Sequence, residues 1–341
     1  MSMYLIPCQK RFPLFLRTNL SLSLQSKIVG SCELRLVNPM ITNPPRVAVV
    51  IVRWNYFEDT RETLESVSNI RYPNYFVVVV DNGSSDGYSD ILKESFPDVH
   101  FIIKTENLGF AGGANLGIQD ALEKGTEYIL FLNNDLIVDS SIISELVSVA
   151  ESKPKVGIVG ALMYYFKYPE TIWSAGGSYE INTGKAGLIG FNEKDHGQYD
   201  SPFEADYICG CGMLIKRSVF ENIGFLDESF FHCGEDVDVC IRARKAGYHI
   251  LTAPHAKLWH KVAKSVGGMA SSMYLYYRYR SNLMLIRKYQ SGSSRRYLID
   301  FIFMCLRNSI SEIKRNNPGG SYALLKVVAD FLNGMSGNGD H

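Results

Sequence analysis

Four carboxylates stand where a chain could use them: Asp81, Asp135, Glu235 and Asp236. Asp81 closes the apolar run Phe76–Val80, and Asp135 closes the run Tyr128–Leu132 through Asn133 and Asn134. A carboxylate at the end of a buried strand reaches the carboxyl edge of a parallel sheet, where open α/β sheets bind ligands. At that edge Asp81 suits a ribose hydroxyl or a pyrimidine N–H. Asp135 suits a hard divalent cation that bridges phosphate oxygens. Each has a plainer reading as well, as a turn former or a helix N-cap. Glu235-Asp236 follows a glycine and opens a helical pattern, where an acid can cap the helix. Two histidines, His255 and His260, lie further along the chain.

The elements that must position these residues follow from hydrophobic patterning. Residues 47–52, 76–80, 100–104 and 128–132 read as strands, and the first, second and fourth are nearly unbroken apolar runs, as in strands covered on both faces. Helical patterns fall between them: from Asp59 through Leu64 to Val67, over 88–95, from the Asn107–Asn115 loop to about Lys124, and over 140–152. Strands alternating with helices at this spacing predict a doubly wound, mostly parallel sheet. Beyond Val156 the Gly-rich pattern predicts short strands and loops covering a site. Residues 207–215 read as a further buried strand, 237–246 as a helix with Gly247 at its end, 248–252 as a strand, and 254–268 as a loop holding both histidines. Asp238 is expected on the outer face of its helix. The tyrosines at 274–279 and Trp173 read as core or interface residues, with Arg278 and Arg280 either on the surface or near a diphosphate. Residues 270–335 are helical in pattern.

Composition narrows the classes. With 341 residues, 46% hydrophobic, the chain is globular and large enough for one big domain or two modest ones. Its zero net charge hides a segregation. Residues 47–273 hold 19 Lys/Arg against 30 Asp/Glu, while residues 1–46 hold 6 against 1 and residues 274–341 hold 10 against 4. An acidic centre suits a bound cation. Basic flanks suit an anionic surface such as phospholipid, or pair with the centre. The seven cysteines show no zinc or CxxC spacing, which fits reduced thiols. No apolar run spans a bilayer. The absence of GxxxxGK[ST] disfavours a P-loop kinase or ATPase, and Trp54-Asn55 stands where a dehydrogenase would place its glycines. Nor is there a Gly-rich loop with Arg and Lys after the first strand, as a nucleotidyltransferase would need.

Four motifs in order carry a resemblance: Val80-Asp-Asn-Gly-Ser-Ser-Asp-Gly87, Asn107-Leu-Gly-Phe-Ala-Gly-Gly-Ala-Asn115, Leu132-Asn-Asn-Asp135 and Gly234-Glu-Asp-Val-Asp238. Over residues 46–290 they resemble the family 2 glycosyltransferases, especially the rhamnosyltransferase type. The resemblance implies a GT-A fold, Rossmann-like with C-terminal helices, a nucleotide-sugar donor, a divalent metal (Mn²⁺ or Mg²⁺) and inversion at the anomeric carbon. It assigns Asn55, Asp81, Asn82, Asn107, Gly109, Asn115 and Asn134 to the nucleotide, Asp135 and His260 to the metal, Asp236 to the base, and Glu235 to the acceptor or to orienting Asp236. Asn133 replaces the first acid of the family's metal motif. His260 is preferred to His255.

The expected organisation is an N-terminal extension over 1–45, either poorly ordered or an interfacial anchor, a GT-A domain over 46–270 and a helical tail over 271–341. The expected activity is hexosyl transfer, with dTDP-rhamnose as the first donor to test, to a glycan or lipid-linked acceptor of a cell envelope. A UDP-sugar donor and a non-catalytic nucleotide-sugar-binding scaffold are the alternatives. A cytoplasmic location, peripheral on the inner membrane face, is expected, and no nucleic-acid partner.

Overall fold

The computed structural model describes residues 43–180, 185–262, 270–289 and 294–334; the extension over residues 1–42 lies outside them. In chain order the elements are β1 (Val47–Arg53), α1 (Phe57–Ser68), β2 (Tyr75–Asn82), α2 (Ser89–Ser95), β3 (His100–Lys104), α3 (Gly109–Glu123), β4 (Tyr128–Asn133), β5 (Leu136–Val138) and α4 (Ile142–Ala150). There follow β6 (Val156–Tyr165), β7 (Tyr168–Ser174), β8 (Gly177–Glu180), β9 (Lys185–Leu188), β10 (Phe203–Glu204), β11 (Gly212–Lys216), α5 (Arg217–Ile223), α6 (Glu235–Lys245) and β12 (His249–His260). Three helices close the chain: α7 (Ser272–Tyr289), α8 (Ser294–Lys314) and α9 (Pro318–Leu332).

The sheet runs β10-β12-β6-β11-β4-β1-β2-β3, with β5 added on β12 and β7 on β6. Strands β3, β2, β1 and β4 are mutually parallel, β11 is antiparallel to β4 and β6, and β12 runs parallel to β6. This is a mixed, mostly parallel α/β sheet. All seven residues of β1 are buried, as a strand covered on both faces requires. Helix α3 lies close on β1 because Gly117 has no side chain; a Cβ there would sit 2.4 Å from Val50.

The second half departs from the sequence reading in three places. Residues 156–165 form one ten-residue strand rather than short pieces, with only Tyr165 less than fully buried. Within 207–215, only the part from Gly212 onward is strand. Residues 254–260, read as loop, continue β12: the ladder to β6 shifts between Ala253 and Lys257, then resumes through His260. Pro254 removes a donor and masks the strand pattern, and a register shift absorbs it.

Helices α7, α8 and α9 enclose a second small core that includes Tyr277, Ile286, Phe301, Cys305 and Val327. Asp238, expected on an outer face, is fully buried: it accepts from Arg242 (2.8 Å), Lys288 (2.6 Å) and the Tyr289 hydroxyl (2.5 Å), tying α6 to α7. A carboxylate with three donors satisfies the rule that buried charge must be paired. Among the described residues no helix is long and apolar enough to cross a membrane.

Candidate active site

Register places the candidate residues on one edge. Arg53 lies opposite Asp81 and Val52 opposite Asn133, so the ends of β2 and β4 flank the end of β1. Gly212 pairs with Leu132 in the antiparallel direction, so Cys211 and Gly210 run on past the same edge.

Those two consecutive residues join the chemistry. The Gly210 N–H donates to Asp236 Oδ2 at 3.2 Å. The Cys211 sulfur lies 3.9 Å from His260 Nδ1, and His260 Nε2 lies 3.0 Å from Asp135 Oδ1. Trp173 packs edge-on against the His260 ring with centroids 4.9 Å apart. His260 and Asp135 are both about 95% buried, whereas His255 is exposed. Burial alone would raise the Asp135 carboxyl pKa, but the neighbouring His260 and then Lys261 outweigh it and hold the carboxyl below its usual range. Lys261 is fixed in turn by Asp59 at 2.5 Å and Glu62 at 2.6 Å, which pins the end of β12 to α1.

The donor set fits a hard or borderline divalent cation: one carboxylate and one imidazole in contact at a strand end. Among the described residues no three His, Cys, Asp or Glu side chains cluster to form a protein-only cage. A cation held by Asp135 and His260 would therefore draw its other ligands from phosphate oxygens and water.

Helix α6 starts at Glu235, with Gly234 before it at φ +92°. Besides Gly210, Asp236 accepts the Val237 N–H at 2.8 Å. Burial raises the Asp236 pKa while these backbone donors oppose the rise. Glu235 is pushed well above the carboxylate range, by burial first and then by the Asp236 charge, and its Oε2 has no hydrogen-bond partner. Burial thus pushes both carboxyls upward, Glu235 further than Asp236, whose backbone N–H donors favour its charged form.

The residues assigned to the nucleotide form a network of loop cross-links. Asn82 donates to Asn107 Oδ1 (3.0 Å) and the Gly109 carbonyl (2.9 Å), and accepts from the Leu108 N–H. Gly109 has φ +74°, and a Cβ there would lie 2.4 Å from the Phe231 carbonyl, so only glycine fits. Asn55 accepts the Ser85 N–H, and Asn134 donates to the Asn55 carbonyl and Thr60. Asn115, read as reaching the ribose or phosphates, instead lies within α3 and clamps the 226–228 loop: its oxygen accepts the Leu226 N–H and its nitrogen donates to the Leu226 carbonyl and Glu228.

Sequence reasoning missed Arg53. It is fully buried and donates to Asp81 (2.5 Å), to both oxygens of Asp86 (2.5 Å each) and to Ser89 (3.1 Å). The available signal was an arginine ending an otherwise apolar strand, with two acids five residues apart in the next strand's loop.

The family model described as "Glycosyltransferase like family 2" matches residues 44–274. Among curated proteins, the chain is 28% identical to "dTDP-rhamnosyl transferase RfbF" of Shigella flexneri, over 71% of this chain and 80% of that one. It is also 28% identical to "Low-salt glycan biosynthesis hexosyltransferase Agl10" of Haloferax volcanii, over 70% and 74%. Among solved structures, GalNAc-T7 with UDP, GalNAc and Mn²⁺ superposes with a TM-score of 0.59 at 16% identity, covering 86% of this chain and 58% of that one. The mannosyltransferase PcManGT of Pyrobaculum calidifontis, in complex with GDP-Man and Mn²⁺, gives 0.54 at 18%, over 86% and 80%. These structural likenesses speak to the fold, which is that of the GT-A glycosyltransferases.

Proposed function

The chain belongs to glycosyltransferase family 2, and we propose that it is a metal-dependent, inverting hexosyltransferase. Its donor is a nucleoside-diphosphate sugar, with dTDP-rhamnose the first to test, and its acceptor is a hydroxyl of a glycan or lipid-linked saccharide in cell-envelope polysaccharide synthesis. The catalytic region is residues 46–270, with 271–341 as a helical tail.

One observation carries this reading. Gly210 and Cys211, adjacent in the chain, contact Asp236 and His260, so the proposed base and the Asp135–His260 pair share one edge. Inverting transfer needs that proximity, because base and leaving group act in a single displacement. As the acceptor oxygen bonds to the anomeric carbon, Asp236 takes its proton and the bond to the diphosphate breaks with its electron pair leaving on the phosphate oxygen. Glu235, beside the base in the chain, hydrogen-bonds the acceptor or orients Asp236. A bound Mn²⁺ or Mg²⁺ would neutralise charge on the departing diphosphate, and Asp135 and His260 are the residues that would hold it. Asp81, Asn82 and the 107–109 turn form the wall on the nucleoside side.

Calorimetric titration with UDP, dTDP and GDP, each with and without Mn²⁺, tests the reading. Mn²⁺-dependent binding led by dTDP, and lost in Asp135→Ala, is expected. Preference for UDP keeps the chemistry and replaces the donor. Binding of none of the three overturns the catalytic reading in favour of a scaffold.

A further inference from the structure

Helix α7 lies against the loop that leads into the proposed base. Tyr277 stacks on Phe231 with centroids 5.1 Å apart, and the Ser281 hydroxyl donates to the His232 carbonyl at 3.3 Å. Two arginines of this helix are used differently. Arg280 is buried and donates to the Ser229 carbonyl at 3.2 Å, holding the same loop. Arg278 is exposed, and among the described residues no carboxylate pairs with it. Yet it does not stand apart from the fold. Its guanidinium carbon is 5.9 Å from the centre of the Tyr274 ring. Burial raises the pKa values of Tyr207, Tyr274 and Cys233, and the Arg278 charge opposes the rise in all three. Groups from three separate segments thus surround one arginine, and none of them supplies a carboxylate to answer it.

The same neighbours locate Arg278. The Asp236 charge also acts on Tyr207 and Cys233. On its other flank Asp236 accepts from Gly210, and Asp236 and Asp135 both act on Cys211, which touches His260. The order across the edge is therefore Arg278, Asp236, then the Asp135–His260 pair. Tyr207 carries the Arg278 end toward hairpin β8–β9, where its hydroxyl meets the Gly187 carbonyl at 3.5 Å. In a single displacement the base stands with the acceptor, and the leaving group departs on the opposite side. We propose that Arg278 binds an oxyanion carried by the acceptor, a phosphate or a uronate carboxylate, so that the acceptor is an anionic saccharide. A guanidinium offers a planar fork of N–H donors that matches either group. A neutral acceptor would have no use for that cation, whereas an anion approaching the Glu235 and Asp236 carboxyls needs one. The inference rests on the proposed activity, since it assigns the acceptor of that same site.

Calorimetric titration of the full chain, free of metal, with glucose 1-phosphate, glucuronate and glucose tests it. At least one charged sugar should bind about tenfold more tightly than glucose, and the tighter of the two names the acceptor's charged group. Arg278→Gln should abolish that preference and Arg278→Lys should keep part of it, both with unchanged melting temperatures because the position is exposed. Asp135→Ala should leave it intact. Equal binding of the three sugars, or none, overturns the proposal, and so does a preference that survives Arg278→Gln. Titration of Arg278→Gln with dTDP and Mn²⁺ separates acceptor from donor. Binding equal to wild type is expected, and its loss overturns the proposal by placing Arg278 on the donor diphosphate. Failure of the wild type itself to bind any nucleotide with Mn²⁺ would instead be a failure of the proposed activity, visible apart from the sugar titrations.

Discussion

The two ends of the candidate site are built on opposite principles. On the nucleoside side the buried polar groups answer one another: Arg53 is balanced by Asp81 and Asp86, and Asn82 ties down the 107–109 turn. On the acceptor side, among the described residues, Glu235 is buried without an ion partner and one of its oxygens is orphaned. Each side has one orphaned atom, since Arg53 Nε is also unpartnered. The contexts differ. Arg53 Nε is one donor of a cation with two carboxylates bound to it, whereas Glu235 Oε2 belongs to a buried acid with no ion pair among the described residues. A satisfied network holds loops in place, and an unsatisfied buried acid is what a site keeps for a ligand or a proton.

If that contrast is real, the largest functional effect and the largest structural effect fall on different sides. Asp236→Asn should lower turnover at least about a thousandfold, as loss of a general base does. Nucleotide binding and melting temperature should stay close to wild type. Comparable loss of both turnover and binding would remove Asp236 from its assigned role. Arg53→Met should do the converse, leaving Asp81 and Asp86 uncompensated and costing about 3–5 kcal/mol of stability. Thermal unfolding measures that cost, and a fall in melting temperature no larger than that of Asp236→Asn would erase the distinction.

The same contrast explains what the sequence could tell. The first-half strands were legible because β1, β2 and β4 are buried on both faces and appear as apolar runs. The edge acids were legible because such runs end in polar residues. Arg53 was not, because a charge at a strand end acquires meaning only when register sets it against Asp81. Asp238 was not, because its three donors come from helices α6 and α7 and only tertiary packing buries it. The Asn residues of the motifs were visible as a group, but sequence could not divide loop-holding from ligand-holding. Asn115 shows how: its amide is engaged on both atoms by a loop more than a hundred residues away.

The smallest effect is the sharpest probe of the acceptor side. Burial and the Asp236 charge raise the Glu235 pKa, so the folded protein holds a proton that the unfolded chain releases. Stability attributable to this group is full below the unfolded Glu pKa of about 4.3 and declines as pH rises toward the folded value. Glu235→Gln keeps the shape and removes the titration. It should therefore raise the melting temperature at pH 7 relative to wild type, with the gain shrinking toward pH 4. A pH-independent difference would mean that the Glu235 carboxyl ionises in the fold as it does in the open chain. The orphaned oxygen would then be an ordinary packing defect, and the two sides of the site would be built alike.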